Sequence, residues 1–239
     1  MKRAFALLSL IVFLSSAASL LAQDATPEAT AQADTHLSQS VSEIFAGLPQ
    51  LRTEDGGFVV GQPDAPITII EFADYACPHC QAYRPVIDQV ITDYVATGQA
   101  KFELRIFPTA GGQLTYFAGL VVECANHQAL GSFWQAYELL YGYATSGEYD
   151  ETLGESLAAE YDINYEKLLR CVEYAQQVET DIAFGQQLGV TGTPAVMVRI
   201  GNAAPHFITF EGSVYNSGGV PFAVLAAVIE AANPEPEVI

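Results

Sequence analysis

The sequence predicts an α/β fold whose βαβ and ββα halves are separated by a helical insertion, and three observations predict it. Residues 67–72 read ITIIEF, a β-branched apolar run; residues 78–94 then follow a helical period, and KFELRIFP at 101–108 alternates as a strand. Strand, helix and strand of these lengths make a parallel βαβ unit. Roughly eighty residues of helical periodicity with no strand signal follow, from about 113 to 188. Strand patterns return in PAVMVRI (194–200) and HFITF (206–210), joined by GNAAP, before a last helix that opens at Pro221 and stops ahead of Asn233-Pro234. This order argues against a barrel or a bundle.

With 239 residues, half of them hydrophobic, the chain has area enough for one domain carrying an insertion. Lys2 and Arg3 precede an apolar run from Ala4 to Leu14 and then small residues up to Ala22, the pattern of a secretory signal peptide over 1–22. Cleavage after Ala22 or after Ala18 leaves a small residue before the cut, and the run also approaches the length of an uncleaved anchor. No cysteine stands near the cut, which excludes a lipid anchor there. The expected location is therefore exported, periplasmic or otherwise extracytoplasmic, with or without an N-terminal tether to the membrane; cysteine pairs persist there as disulfides. The formal net charge is −19, and losing Lys2 and Arg3 with the leader removes two positive charges, to −21. A surface of that sign repels nucleic acid and anionic lipid.

Residues 23–56 are expected to form a flexible tether, because QDATPEATAQADTHLSQS is polar and lacks a hydrophobic period. Within it Val41, Ile44, Phe45 and Leu48 fall at helical spacing, a short amphipathic helix whose apolar face packs on the main domain or on a second copy. The βαβ half spans 57–112, the insertion 113–189, the ββα half 190–233 and a tail 234–239. In the insertion Leu168, Val172, Ala175, Val178 and Ile182 line one face of the last helical segment.

Two of the four cysteines stand three apart, in Cys77-Pro78-His79-Cys80, straight after the first strand. Such a pair is a redox couple, half of a zinc site, or two inert thiols. Zinc wants a second ligand pair at short spacing, and Cys124 and Cys171 stand alone and far apart. A three-residue offset at a helix start brings both sulfurs within bonding reach, which favours the redox couple and calls for no metal and no cofactor. With Cys77 as N-cap and Pro78 as first helical residue, the Cys77 thiolate faces unpaired backbone N–H groups and the positive end of the helix dipole. His79 is expected to add a positive charge or a donor, so Cys77 is the low-pKa attacking thiol and Cys80 the buried, high-pKa one. Glu71, inside ITIIEF, is expected to be buried, with a raised pKa that lets it exchange a proton with Cys80. Asp74 opposes a thiolate three residues later, and is expected to cap a turn or face solvent.

This stretch resembles the active site of the thioredoxin superfamily, and its Pro-His dipeptide is similar to that of the disulfide oxidase DsbA and its relatives. Glu71, six residues before Cys77, matches the family's buried carboxylate. Pro85, five after Cys80, matches the proline that kinks the active-site helix, and Thr193-Pro194 in VTGTP matches the cis-proline pair facing the cysteines. ANHQALGSFWQAYELLY (125–141) resembles the DsbA helical insertion, so the likeness covers about 58–232. The resemblance implies a thioredoxin fold and a thiol:disulfide oxidoreductase, working as a monomer. Its partners are unfolded or folding exported proteins with cysteine thiols and a membrane redox partner that reoxidises it. For DsbA the attacking thiol titrates near ~3.5 and the couple sits near about −120 mV, against about −270 mV for thioredoxin. That gap and a five-unit pKa fall are each worth roughly 7 kcal/mol, so holding the thiolate is enough to make the disulfide the less stable form.

A cis bond before Pro194 is expected to expose the Thr193 backbone to an extended client segment. Threonine at 193 differs from the valine of the oxidase and resembles the disulfide isomerases, which leaves isomerase or reductase activity open; a metal-binding module built on Cys77, His79 and Cys80 is the other alternative. In an exported chain Cys124 and Cys171 are expected to pair as a structural disulfide, worth about 4 kcal/mol by chain entropy. His36, His127 and His206 are scattered, and Trp134 and the tyrosines read as core.

Overall fold

The computed structural model describes residues 40–234. The expected leader, most of the expected tether and residues 235–239 lie outside the described residues. The chain runs α1 (Val41–Gly47), β1 (Gln50–Arg52), β2 (Phe58–Gly61), β3 (Ile67–Ala73), α2 (Pro78–Val90) with a π-helical turn over Ile91–Val95, and β4 (Ala100–Ile106). A helical block follows, with α3 (Gly112–Gln128), α4 (Ser132–Ser146), α5 (Leu153–Glu160), α6 (Tyr165–Val172) and α7 (Gln177–Gln187). Then come β5 (Ala195–Ile200), β6 (His206–Phe210), β7 (Ser213–Tyr215) and α8 (Phe222–Ala232).

The strands form one mixed sheet in the order β1-β2-β4-β3-β5-β6-β7. β3 sits at its centre because all seven of its residues are buried, the pattern of a strand covered on both faces. It pairs in parallel with β4, Glu71 opposite Leu104, and antiparallel with β5, Glu71 opposite Val196. Alternation along β3 then sorts its side chains. Ile67, Ile69 and Ala73 enter the larger core with Phe102, Leu104, Trp134 and Tyr137, whereas Ile70 and Phe72 enter a smaller one with Phe107 and Met197. Glu71 shares the side of Ile69 and Ala73 and so faces the larger core.

Residues 40–56 hold the expected short amphipathic helix, packed on the main domain, and correct only the expectation of a flexible tether around it. Ser40 and Glu43 form a reciprocal capping box that starts α1, and Val41, Ile44 and Phe45 are buried. Phe45 packs on Trp134 and Tyr137 of α4, with ring centroids 4.9 and 5.6 Å apart, so this face is used within the chain. Burying a ring of that size contributes roughly 1.5–3 kcal/mol towards ordering this segment. β1 then pairs with β2 at the sheet edge.

The last helical segment of the insertion is two helices, with a break at 173–176. Leu168 and Val178 are both buried, so one apolar stripe runs across the break. At the break a partner far along the chain takes up the new helix start: Glu123 of α3 accepts from the N–H of Gln177 at 3.0 Å and puts a carboxylate at the start of α7. The disulfide Cys124–Cys171 ties α3 to α6 next to this point.

Candidate active site

The site forms where β3 ends and α2 begins. Cys77 is the N-cap of α2, with an extended backbone (φ −74°, ψ 121°), and Pro78 is the first helical residue. Cys77 is 5% exposed and Cys80 is 0% exposed, and both are free thiols. Pro85 lies inside α2.

The two sulfurs sit in opposite surroundings. Burial pushes the Cys77 thiol up, but hydrogen bonds from the Thr193 side chain, the backbone N–H groups of Cys80 and His79, and the Cys80 thiol outweigh it and hold Cys77 below its ordinary value. Burial pushes Cys80 far up, and the nearby Glu71 charge pushes it further. Glu71 itself is fully buried, and neither carboxylate oxygen has a hydrogen-bond partner in the protein. Burial raises it to about 8, with the Asp88 charge adding to the rise. An acid kept protonated near neutrality therefore lies beside the sulfur that most needs a proton.

His79 supplies one of its two expected contributions, a donor, but through its main chain. Its side chain is exposed and lines the groove beside the site, and what it offers Cys77 is its backbone N–H. The helix start, with its unpaired N–H groups, supplies that donor whatever the side chain.

Across from the cysteines the Thr193–Pro194 peptide is cis, and the Thr193 carbonyl oxygen lies 3.5 Å from the Cys77 sulfur. The Thr193 hydroxyl is 2.6 Å from that of Thr109, which donates to Asp74 at 3.1 Å. Asp74 caps the turn ahead of α2 through the Ala76 N–H, one of its two expected roles, and does not face solvent. It is fully buried and accepts from the N–H groups of Ala76 (2.9 Å), Thr109 (2.7 Å) and Gly111 (2.8 Å) and from the hydroxyls of Thr109 and Thr115. Five donors offset its charge, and with them it joins the start of α2 to the loop before α3. Sequence reasoning missed Thr109, Gly111 and Thr115; the only local signal was the run of small residues in PTAGG after β4.

A groove of about 610 Å³ runs from His79 along Tyr83, Val86 and Pro194 to Gly219 and Val220. The Tyr83 hydroxyl fixes its far wall, donating to the Val220 carbonyl at 2.7 Å and accepting from the Val220 N–H at 3.0 Å. Cys124 and Cys171 are joined to each other within the insertion and line neither groove nor site. Among the described residues no cluster of His, Cys, Asp and Glu is arranged to hold a metal, and no helix is long and apolar enough to cross a membrane.

Comparison with known proteins places this geometry. The thioredoxin family model matches residues 53–204, more than half of the chain. Disulfide bond formation protein D of Bacillus subtilis is 27% identical over 168 residues, covering 66% of this chain and 73% of that protein. The crystal structure of oxidised BdbD from Bacillus subtilis superposes with a TM-score of 0.56 at 25% identity, over 73% of this chain and 91% of that one. A thioredoxin-like oxidoreductase from Silicibacter pomeroyi gives a TM-score of 0.59 at 24% identity over 76% and 94% of the two chains, which speaks to the fold alone. The chain belongs to the thioredoxin family, as a DsbA-like thiol:disulfide oxidoreductase.

Proposed function

We propose that the protein is an exported oxidase that donates the Cys77–Cys80 disulfide to folding proteins carrying cysteine thiols. A client thiolate attacks the Cys77 sulfur, the Cys77–Cys80 bond breaks, and its electron pair goes to Cys80. Cys80 takes the Glu71 proton. A second client thiolate then attacks the client sulfur of the mixed disulfide and releases Cys77 as thiolate, and a membrane redox partner afterwards removes the two electrons. Residues 57–112 and 190–233 act as one catalytic domain, with 113–189 as its helical cover. Thr193, beside the cis Pro194, offers its backbone to an extended client segment, and Cys124–Cys171 serves as a staple.

The observation that carries this reading is the opposite setting of the two sulfurs, one held down at a helix start and one pushed up beside a protonated acid. That asymmetry makes Cys77 the better leaving thiolate, so the disulfide is readily given away. Replacing Cys80 with Ala is expected to trap client proteins on Cys77 as mixed disulfides visible on non-reducing gels, while the unaltered oxidised protein oxidises a dithiol peptide. No trapped species together with no peptide oxidation overturns the reading. Thr193 supports a second reading, an isomerase or reductase, which predicts a reduced Cys77/Cys80 pair in freshly isolated protein and a dimer by light scattering.

A further inference from the structure

A short line of oxygens runs from the turn ahead of α2 to the attacking sulfur. Asp74 Oδ2 lies 3.1 Å from the Thr109 hydroxyl, that hydroxyl lies 2.6 Å from the one on Thr193, and the Thr193 side chain hydrogen-bonds the Cys77 sulfur. The line has three links but only two hydroxyl protons, one on each threonine. A carboxylate and a thiolate at its ends accept hydrogen bonds and give none. Both ends therefore draw on the same two protons.

The count differs between the two states of the cysteine pair. With Cys77 in a disulfide its sulfur asks for no proton, so Thr193 donates to Thr109, Thr109 donates to Asp74, and two protons fill two links. With Cys77 as a thiolate the third link opens and no proton remains for it. Either Thr193 turns to the sulfur and leaves Thr109, or both hydroxyls turn and Asp74 loses one of its donors. Asp74 still holds the N–H groups of Ala76, Thr109 and Gly111 and the Thr115 hydroxyl.

Where the Thr193 proton points decides whether this residue helps the anion. Its carbonyl oxygen, 3.5 Å from the Cys77 sulfur, can only accept, which suits a thiol. The hydroxyl is the part that can give. Burial works against the Cys77 thiolate, and the backbone N–H groups of His79 and Cys80 that offset it are fixed by the helix start, whereas the Thr193 hydroxyl can turn. Cys77 is only 5% exposed, so water is a poor substitute for it.

We propose that Thr109, anchored on Asp74, is a positioning residue that competes with Cys77 for the proton of the Thr193 hydroxyl and so limits how firmly the attacking sulfur is held as an anion. Thr109 lies in the loop between β4 and α3, outside the C-P-H-C stretch and outside the cis-proline loop, and acts through Thr193. The restraint makes the pair a milder oxidant than the helix start alone would give. Around Cys77 the other titratable groups are Cys80, which the Thr193 hydroxyl also reaches, and His79 on α2, Asp74 before it, and Glu71 beside Cys80.

The inference deepens the exchange reading proposed above, and its test keeps the two apart. Thr109→Val preserves shape and backbone N–H and removes the competing oxygen. A hydrogen bond to an anion is about twice as strong as a neutral one, so the freed hydroxyl goes to the sulfur. The ultraviolet titration of the Cys77 thiolate in the reduced variant is expected to run about one pH unit lower, and its equilibrium with glutathione to move about tenfold toward the reduced protein. Thr109→Ser, which puts the hydroxyl back, should return both values, and Thr109→Ala carries the test if Thr109→Val does not fold. In a Thr193→Val background the change at 109 should have no effect, because no hydroxyl proton is left to compete for. A titration that stays put or rises in folded Thr109→Val overturns the competition, and so does an effect of equal size without the Thr193 hydroxyl. Should the unaltered protein exchange nothing with glutathione, the exchange reading falls, while the thiolate titrations still decide the role of Thr109.

Discussion

Glu71 on β3 and Glu103 on β4 lie on neighbouring strands, both fully buried, and face opposite sides of the sheet. Glu103 accepts from Arg105 Nε at 2.7 Å and from Arg199 at 2.7 Å. The Arg105 guanidinium also reaches Asp181 and Asp55, each at 2.9 Å, and Thr53 at 3.1 Å. Even the space for it is reserved, since a Cβ on Gly57 would collide with the guanidinium. Glu71 accepts nothing. A buried charge with matched partners is held in one state and anchors structure, whereas a buried acid without partners stays neutral and is free to change state. The carboxylate that looks worse placed is the one suited to moving a proton.

The largest effect on this contrast should come from Arg105→Met, which strands Glu103 and Asp181 without their cation. Chemical denaturation is expected to show a loss of about 3–5 kcal/mol, with exchange activity per folded molecule retained. A loss below 1 kcal/mol would mean that the network is no anchor. Next comes pH. Folded Glu71 holds its proton to about 8, whereas the ordinary value is 4.5. Between those values the folded chain binds a proton that the unfolded chain has released, so stability falls as pH rises through the window, by up to about 1.4 kcal/mol per unit, and levels off above it. Glu71→Gln removes this slope and should gain on the unaltered protein from pH 5 to pH 8 in urea unfolding; parallel curves would show that Glu71 is not the strained group. The smallest effect belongs to Arg199→Gln. Arg199 is partly exposed and Glu103 keeps Arg105, so a loss of about 1 kcal/mol is expected in the same assay.

What could be read from the chain without coordinates follows the range of each interaction. Cys77 as N-cap and Pro78 as first helical residue depend on four adjacent residues and were legible, as was the burial of Glu71 inside an unbroken apolar run. The wider network of Asp74 was not, because its donors at 109, 111 and 115 lie more than thirty residues away, and no local pattern announces them. The break between α6 and α7 was hidden by an apolar stripe that runs through it, and β1 is too short, at three residues, for alternation to show. That His79 gives its donor from the main chain was not legible, because a titrating side chain draws notice where a backbone N–H does not.

Asp74 has a consequence beyond neutralising itself. Its two oxygens hold the first turn of the helical insertion and also the threonine that touches Thr193, so the wall opposite the attacking sulfur hangs from the cover as much as from the sheet. On the reading proposed above, in which Thr193 receives a client segment, remodelling that cover far from any cysteine would shift the receiving surface, so one core could be tuned to different cargo by exchanging its lid.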